Sequence, residues 1–407
     1  MSSKIIYLRR TILRLDILNQ IKSNMKIIKA TLFALKIPFI ETFSHSVKSR
    51  TYSDSIVVKI QGEDGTIGYG EAVARAYVTG ETVSSCLKFM AEEIFPAISQ
   101  IDYPLFNNSS EPLTYLSDIS KSIPSTKTDG IIAANAAKTG FELAIIDCLL
   151  KSQNISLAKI IPPKRNSVIY SGVITSSSIE KALKNAKYFK LFGLQHIKIK
   201  TTGEEDYARI QAIRKVVGAE VSLRIDGNGI YNVESAINAF QKLAELQIDS
   251  VEQPIPRCKP ETLAELKAKS PIPIMVDESL ITVEDAKTLI ANNACDFFNL
   301  RISKCGGIAQ TLEIAKLALS KGIKLQLGCQ VGETAILSAA GRHLAAYLDD
   351  LLFIEGSYGK LLLTEDISTE SIHFGNGGKA GLLCKPGLGI EVKNSILEKY
   401  AHKIINL

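Results

Sequence analysis

The sequence predicts an α/β protein, a modified TIM barrel of the (β/α)7β type with an α+β capping domain. Three observations predict this fold. Short apolar runs alternate with helical segments from residue 167 onward, which indicates βαβ units and a parallel sheet. Charged residues end successive runs at a spacing of one such unit. The preceding residues instead predict strands joined by a hairpin and followed by helices, which is typical of an α+β domain.

The barrel is predicted from eight apolar runs, at residues 167–173, 196–200, 221–226, 249–253, 272–277, 296–302, 324–328 and 351–356. Eight strands within this length fit a (β/α)8 barrel. No comparable helix follows the last run before the Gly-rich segment 374–389, so we expect the final helix to be missing. An open doubly wound sheet is the alternative, but it requires a Gly-rich phosphate loop after its first strand. This chain reads SGVITSS at that point.

The capping domain is predicted from the runs MKIIKATLFALKIPF and DSIVVKIQGEDGTIGYGEA, which read as strands with a turn at Asp64-Gly65. Helices are expected near residues 80–101 and 131–152. The predicted divisions are a leader, which is disordered or not the native start, then the cap, the barrel, and a C-terminal segment returning to the cap: residues 1–24, 25–160, 161–356 and 357–407.

Composition and charge exclude several classes of protein. The chain is 46% hydrophobic and 22% charged, as in soluble globular proteins. No apolar stretch approaches the length of a membrane span, so no membrane partner is expected. The net charge is +6, and the leader supplies five basic residues and one acidic one, leaving only +2. A net charge this small, without a basic stripe, does not predict a nucleic-acid-binding surface. Seven cysteines without a CxxC pair indicate free thiols in the cytoplasm.

Charged side chains recur at the ends of successive runs, namely Lys200, Asp226, Glu252, Asp277, Lys304 and Glu355. The first five are separated by 26, 26, 25 and 27 residues, or one βα unit each. In a barrel the active site forms at the C-terminal ends of the strands. Asp226, Glu252 and Asp277 would therefore converge, and three anions repel unless a cation lies between them. All-oxygen ligands with room for water and substrate favour Mg²⁺.

Two lysines share one face of the second predicted strand. In QHIKIKTT, Lys198 and Lys200 alternate with isoleucines, so both point away from the isoleucine face. Lys304 follows the sixth strand, across the barrel. A lysine whose pKa is lowered by a metal and a neighbouring cation is a general base. A lysine that keeps its head group in water is the alternative interpretation of Lys198.

Five motifs in order carry a resemblance to a known family: KIK (198–200), RIDGNG (224–229), VEQP (251–254), VDES (276–279) and ISKCGG (302–307). With GYGEA in the cap, they resemble the enolase superfamily. More narrowly, they are similar to its muconate-lactonizing subgroup, within the mandelate racemase/muconate lactonizing enzyme family, which includes dipeptide epimerases. The resemblance covers the chain from about residue 25 to about residue 392.

The resemblance implies a mechanism. The three carboxylates are expected to bind Mg²⁺, which would hold a substrate carboxylate. Lys200 is expected to remove the proton alpha to that carboxylate, giving an enediolate stabilised by the metal and by Lys198. Lys304, on the opposite face, would return a proton with inversion or assist only electrostatically. The expected substrate is a small carboxylate.

Two flanking lysines favour a racemase or epimerase of an amino-acid derivative, either an N-acyl amino acid or a dipeptide. Lactonizing and dehydrating relatives carry the same residues. A muconate-type cycloisomerase, or a syn-eliminating lyase or dehydratase, therefore remains an alternative. A non-catalytic metal-binding relative is a remote one. Relatives commonly form dimers or octamers, so the resemblance implies a homo-oligomer.

Substrate contacts are predicted at three positions. Arg50 lies in the cap loop 43–54 and offers a charge for a second anionic group, although a solvated loop explains it equally well. Glu333 lies just past the seventh run. Relatives that epimerise dipeptides carry Asp-x-Asp at the eighth strand, where this chain has Phe353-Ile354-Glu355, so only Glu355 remains to hold an ammonium group. Glu278 is expected to be a structural partner of Asp277 rather than a ligand.

Overall fold

The computed structural model describes residues 23–44, 49–107, 109–126, 132–203 and 206–407. Most of the predicted leader, residues 1–22, lies outside the described residues. The centre of the cap loop, residues 45–48, lies outside them as well.

The cap combines antiparallel strands with helices. Its strands are β1 (Asn24–Leu35), β2 (Pro38–Ser44), β3 (Ser49–Tyr52), β4 (Ile56–Gly62), β5 (Ile67–Ala72) and β6 (Asp102–Pro104). Its helices are α1 (Val83–Phe89), α2 (Phe95–Ile98), α3 (Pro112–Ser122) and α4 (Asn135–Ser152). A π-helical turn, Met90–Ile94, joins α1 to α2.

Helix α4 lies between the cap sheet and the barrel and is buried over nearly its whole length. Small residues allow the close approach, because a β-carbon on Gly70 of β5 would meet the backbone oxygen of Gly140 on α4. The buried carboxylate of Glu81 accepts hydrogen bonds from the backbone N–H groups of Ala136 and Ala137, at 2.9 and 3.0 Å. These bonds satisfy donors that the first turn of a helix leaves without partners.

The barrel is a parallel sheet in which strands follow each other in chain order from β8 to β15. The strands are β8 (Gly172–Ile174), β9 (His196–Lys200), β10 (Ser222–Asp226), β11 (Ile248–Glu252), β12 (Ile274–Val276), β13 (Phe297–Leu300), β14 (Lys324–Leu327) and β15 (Leu351–Ile354). The backbone N–H of Ser171 donates to the carbonyl of Ile354 at 2.8 Å, which joins the first strand to the last.

Helices return the chain between the barrel strands. They are α5 (Ile179–Leu191), α6 (Asp206–Val217), α7 (Val233–Leu243), α8 (Pro260–Lys269), α9 (Val283–Ala291), α10 (Ile302–Cys305), α11 (Ile308–Ser320) and α12 (Ala335–Tyr347). After β15 comes only the four-residue α13 (Gly359–Leu362). The predicted (β/α)7β barrel with a missing final helix is therefore confirmed.

The first predicted strand differs from the observed one. Residues 167–173 split into β7 (Val168–Ile169) and β8, and β7 pairs antiparallel with β16 (Lys379–Ala380). The chain turns between them because the Tyr170 N–H donates to Gly378 at 2.8 Å and the Tyr170 ring stacks on Phe374. Residues of a single apolar run therefore lie in two different sheets.

The C-terminal segment reaches the cap. After α14 (Asn394–Tyr400), strand β17 (Ala401–Asn406) pairs antiparallel with β1, with Thr31 opposite Asn406. The cap sheet is therefore ordered β17–β1–β4–β5, with β6 also paired to β1. Within the described part of the chain, no helix is long and apolar enough to cross a membrane.

Candidate active site

Strand β9 places two lysines at the mouth of the barrel. Ile197 and Ile199 are fully buried on one side of the strand, and the alternation turns Lys198 and Lys200 to the other side. The Lys198 Nζ lies 2.7 Å from Glu355 and 3.3 Å from both Glu252 and Asp226. Burial alone lowers the pKa of Lys198, but these carboxylates outweigh it and raise the pKa above its ordinary value. Lys198 is therefore a fixed positive charge.

Lys200 lies one strand position further out. Its Nζ is 2.5 Å from the Asp226 carboxylate and 2.7 Å from Oδ1 of Asn228. Burial raises the pKa of Asp226, but Lys200 and Lys198 outweigh this and hold the pKa below its usual range. The backbone of Asn228 has a φ of 43°, a left-handed conformation that asparagine tolerates. This turn brings the Asn228 amide back over the end of the strand.

The three predicted metal ligands lie on adjacent strands. Asp226 and Glu252 face each other across the β10–β11 pair, and Asp277 directly follows β12. All three side chains are essentially fully buried. Glu252 also accepts 2.9 Å hydrogen bonds from the amide groups of Asn299 and Gln326. A buried carboxylate with this many donors is held in one position.

Asp277 is surrounded by cations. Arg301 pairs with it, and the same guanidinium lies 3.6 Å from Glu252. The Lys304 ammonium is 2.9 Å from the Asp277 carboxylate and 2.8 Å from the backbone oxygens of both Asp277 and Asn299. The Lys304 side chain is fully enclosed. Burial, together with the charge of Arg301, lowers the pKa of Lys304 to about 8.

Glu278 brings a fourth carboxyl group to the site. Burial, followed by the charges of Asp226 and Glu252, raises its pKa to about 7. Among the described residues, its buried Oε2 is one of the few side-chain atoms without a hydrogen-bond partner. The other oxygen is 3.5 Å from the Asn228 amide. An oxygen in this position is available to a cation or a polar ligand.

The donor set fits a hard divalent cation in its chemistry. The buried oxygens of Asp226, Glu252 and Asp277 are the ligand type that Mg²⁺ prefers, and the Glu278 oxygen adds one without a partner. Ammonium and guanidinium groups lie between the carboxylates, however. Across the part of the chain that the structure describes, no group of three His, Cys, Asp or Glu side chains is arranged to hold a metal ion.

A cavity of about 690 Å³ opens onto this site. Its polar end is lined by Lys198, Lys200, Asn228, Glu278, Arg301, Glu333 and Glu355. Glu333 accepts a 2.6 Å hydrogen bond from the Gln330 N–H, and burial raises the pKa of Glu333 to about 8. A cavity of this size, with convergent polar groups and shifted pKa values, is typical of a small-molecule site.

The structure brings most of the predicted site residues together. Arg301 bridges Glu252 and Asp277, and through it the three lysines and three carboxylates form one connected network of ion pairs. Glu355 joins this network through Lys198. Among described residues, the lining of the cavity includes Glu333 and Glu355 but not Arg50 or Lys304. Arg50 instead pairs with Asp54 at 2.5 Å, and Asp54 also pairs with Arg75.

Sequence reasoning missed two arginines. Arg301 lies at the end of β13, three residues before Lys304. It is a charged residue at the end of an apolar run, as the lysines are, and could have been identified in the same way. Arg224 is buried inside the barrel, 3.0 Å from Glu355 and over the ring of Phe353. Its place two residues before Asp226 puts it on the same face of β10, which alternation alone could have indicated.

Comparisons with known proteins agree with this geometry. A family model described as "Enolase C-terminal domain-like" matches residues 181–396, more than half of the chain. The N-succinyl-L-Arg/Lys racemase of Bacillus cereus is 30% identical over 379 residues, covering 92% of this chain and 98% of the relative. The hydrophobic dipeptide epimerase of Enterococcus faecalis is 32% identical over 327 residues, covering 79% and 87%.

Solved structures extend the likeness. The crystal structure of N-succinyl Arg/Lys racemase from Bacillus cereus superposes with a TM-score of 0.83 at 28% identity, covering 94% of this chain and all of that one. Muconate cycloisomerase from Pseudomonas fluorescens gives a TM-score of 0.80 at 26% identity, covering 93% of this chain and all of the other.

The fold and the site define an isomerase built on a capped, modified TIM barrel. The chain belongs to the enolase superfamily, and within it to the muconate-lactonizing subgroup. Its relatives include an N-succinyl-L-Arg/Lys racemase, a hydrophobic dipeptide epimerase and an o-succinylbenzoate synthase, and members of the superfamily generally use Mg²⁺.

Proposed function

We propose that the protein racemises or epimerises an N-acyl amino acid or a dipeptide by moving the proton alpha to its carboxylate. The observation that supports this most directly is the pair Lys198 and Lys200 at the mouth of the barrel, held against Asp226, Glu252 and Glu355. A fixed charge beside a second, cavity-lining lysine provides both electrostatic stabilisation and a proton acceptor.

Asp226, Glu252 and Asp277 are the residues proposed to hold Mg²⁺. When bound, the ion would supply positive charge beside the substrate carboxylate and so lower the pKa of the C–H group next to it. For these oxygens to turn toward an ion, the contacts of Arg301 and Lys200 have to loosen. Glu278, whose Oε2 has no partner in the described structure, is positioned to take up a displaced cation or a bound water.

Lys200 is proposed as the base on one face of the substrate, because it lines the cavity. Lys198 stabilises the negative charge that develops on the carboxylate oxygen, since its own charge is fixed by three carboxylates. Lys304 is proposed as the acid or base of the opposite face. Its three contacts to Asp277 and Asn299 have to rearrange before it reaches substrate, as catalytic groups commonly do on ligand binding.

The first experiment is α-proton exchange in D₂O with Mg²⁺, followed by NMR on a library of N-acyl amino acids and dipeptides. We expect deuterium at the alpha carbon and formation of the opposite stereoisomer. Lys200→Ala and Lys304→Ala should each abolish inversion. Exchange without inversion in the wild type would instead favour Lys304 as an electrostatic group only, and a lack of exchange with every compound would reject the proposal.

Cycloisomerisation is the second candidate, favoured by the superposition on muconate cycloisomerase. Formation of a lactone ring from a muconate, with no inversion of any amino-acid derivative, would identify it. We further propose that the enzyme is a cytoplasmic homo-oligomer. All seven cysteines are free, which suits a reducing compartment, and sedimentation velocity of the purified chain tests the assembly.

A further inference from the structure

The cavity has a second, apolar end that the proposed chemistry does not use. Away from the lysines, it is lined by Tyr358, Phe374, Phe192 and Tyr188, which we call the aromatic wall. Tyr358 follows Glu355 by three residues, so the wall begins beside the polar end. It continues along α5, the helix between the first two barrel strands.

The rings of the aromatic wall contact one another in sequence. Tyr358 and Phe374 have ring centroids 5.9 Å apart, Phe374 and Phe192 are 6.4 Å apart, and Phe192 stacks on Tyr188 at 5.8 Å. These are ordinary distances for paired aromatic rings. The Tyr358 hydroxyl donates to the backbone oxygen of Ser171 at 2.7 Å, which anchors the first ring to the barrel.

The wall leaves apolar surface uncovered. Tyr188 remains 55% exposed although it stacks on Phe192, and Phe189 and Leu362 add further apolar surface to the same cavity. Uncovered aromatic surface continuous with a polar site is what an amphipathic ligand covers on binding. Lys360, His373 and Asn185 also line the cavity, so an anionic group is the competing occupant that the experiment has to exclude.

We propose that the aromatic wall binds an extended apolar group of the substrate, while its carboxylate lies at the lysines. The substrate class is then an amino-acid derivative that carries a long aliphatic or aromatic group, either as its acyl chain or as its side chain. This inference rests on the proposed function for the position of the carboxylate. The cavity volume of about 690 Å³ lies in the range that holds a ligand of drug size.

The experiment measures binding by calorimetry, so that it does not depend on turnover. One arm lengthens the acyl chain on alanine from acetyl to hexanoyl to decanoyl, and the other lengthens the side chain of N-acetyl amino acids. We expect the affinity to rise about fourfold per added methylene in one arm, until the wall is covered. The arm that shows the rise identifies the group.

Variants test whether the dependence of affinity on chain length arises at the aromatic wall. Tyr188→Ala and Phe192→Ala should flatten the dependence on chain length. Leu191→Ala, a change at a neighbouring residue that is 89% exposed and does not line the cavity, should keep it. Equal affinities across both arms, or a preference for N-succinyl over N-hexanoyl derivatives, would overturn the inference. Rising affinity without proton exchange would reject the proposed function but would still show that the aromatic wall binds the apolar group.

Discussion

Asn135 and Lys304 are separated by 169 residues, yet the Asn135 side-chain amide donates a 2.6 Å hydrogen bond to the Lys304 backbone oxygen. The same nitrogen lies 3.0 Å from the backbone oxygen of Ile281. Asn135 begins α4 of the cap and is almost fully buried. One cap side chain therefore fixes both the loop after β12, which carries Asp277, and the short helix that carries Lys304.

Replacing Asn135 tests this connection. Asn135→Ala leaves two buried carbonyl groups without a donor, so we expect a loss of about 1–3 kcal/mol in the free energy of unfolding. Inversion should fall more than exchange at the Lys200 face because, of the two lysines, only Lys304 loses a contact with Asn135. Urea unfolding and enantiomer-resolved exchange check this. Ser152→Ala, at the other end of α4 and bonded within its own helix, should change neither.

Replacing Lys304 should destabilise the protein more than replacing Lys200. Lys304→Ala removes a fully enclosed ammonium from the backbone oxygens of Asp277 and Asn299. The Asp277 carboxylate keeps Arg301, so the loss comes from the two buried carbonyl groups left without this donor, at about 1–3 kcal/mol each. Lys200 is partly accessible, and its partner Asp226 keeps Lys198, so Lys200→Ala should cost much less. Equal losses in urea unfolding of the two variants would contradict this distinction.

Metal binding should be visible without turnover. At a concentration of Mg²⁺ one hundred times its dissociation constant, the folded state gains about 2.7 kcal/mol, which raises the melting temperature. Asp226→Asn, Glu252→Gln and Asp277→Asn should each abolish the increase. Asp249→Asn is the matched control, because this exposed carboxylate lies on the same strand as Glu252 and contacts only Ser222 among the described hydrogen-bond partners. A melting temperature unaffected by Mg²⁺ would contradict the prediction.

His343 should make stability depend on pH. It is buried on α12, with Nε2 3.1 Å from the backbone oxygen of Leu388, and burial lowers its pKa from 6.5 to about 4. Between these values the unfolded chain binds a proton that the folded chain does not. Stability is therefore retained above pH 6.5 and lost as the pH falls toward 4.

The measurement compares wild type with His343→Gln, which keeps a donor but does not titrate. From pH 7 to pH 5, the wild type should lose about 2 kcal/mol more than the variant in its free energy of unfolding. The buried acids Glu71 and Glu142, whose pKa values burial raises to about 7, act in the opposite direction. They are present in both proteins, so their effect cancels in the difference. Parallel pH profiles would refute the prediction.

The sequence predicted the barrel and its charged residues because both depend on local periodicity. Alternation in HIKIK and the spacing from Lys200 to Lys304 follow directly from strand geometry and from the length of one βα unit. Residues 167–173 were interpreted wrongly as one strand, because the turn at Tyr170 depends on contacts with Gly378 and Phe374. Those partners lie two hundred residues away in sequence.

The surroundings of individual side chains also could not be predicted from local sequence patterns. That Lys304 is enclosed while Lys200 lines the cavity depends on where Asp277 and the Asn299 carbonyl lie in space. Arg50 was predicted as a substrate contact on charge alone, and Asp54, four residues later, holds it in an ion pair. The aromatic wall unites residues from α5 with residues beyond β15, which no single segment of the sequence reveals.

The pairing of β1 with β17 has a consequence for how the chain reaches its native state. These neighbouring strands are separated by the entire barrel in sequence, with Thr31 opposite Asn406. Such long-range pairing has to wait for the intervening chain to become compact, and contacts of this kind slow folding. We expect a late kinetic phase in refolding, in which the two ends of the chain pair after the intervening segments have become compact.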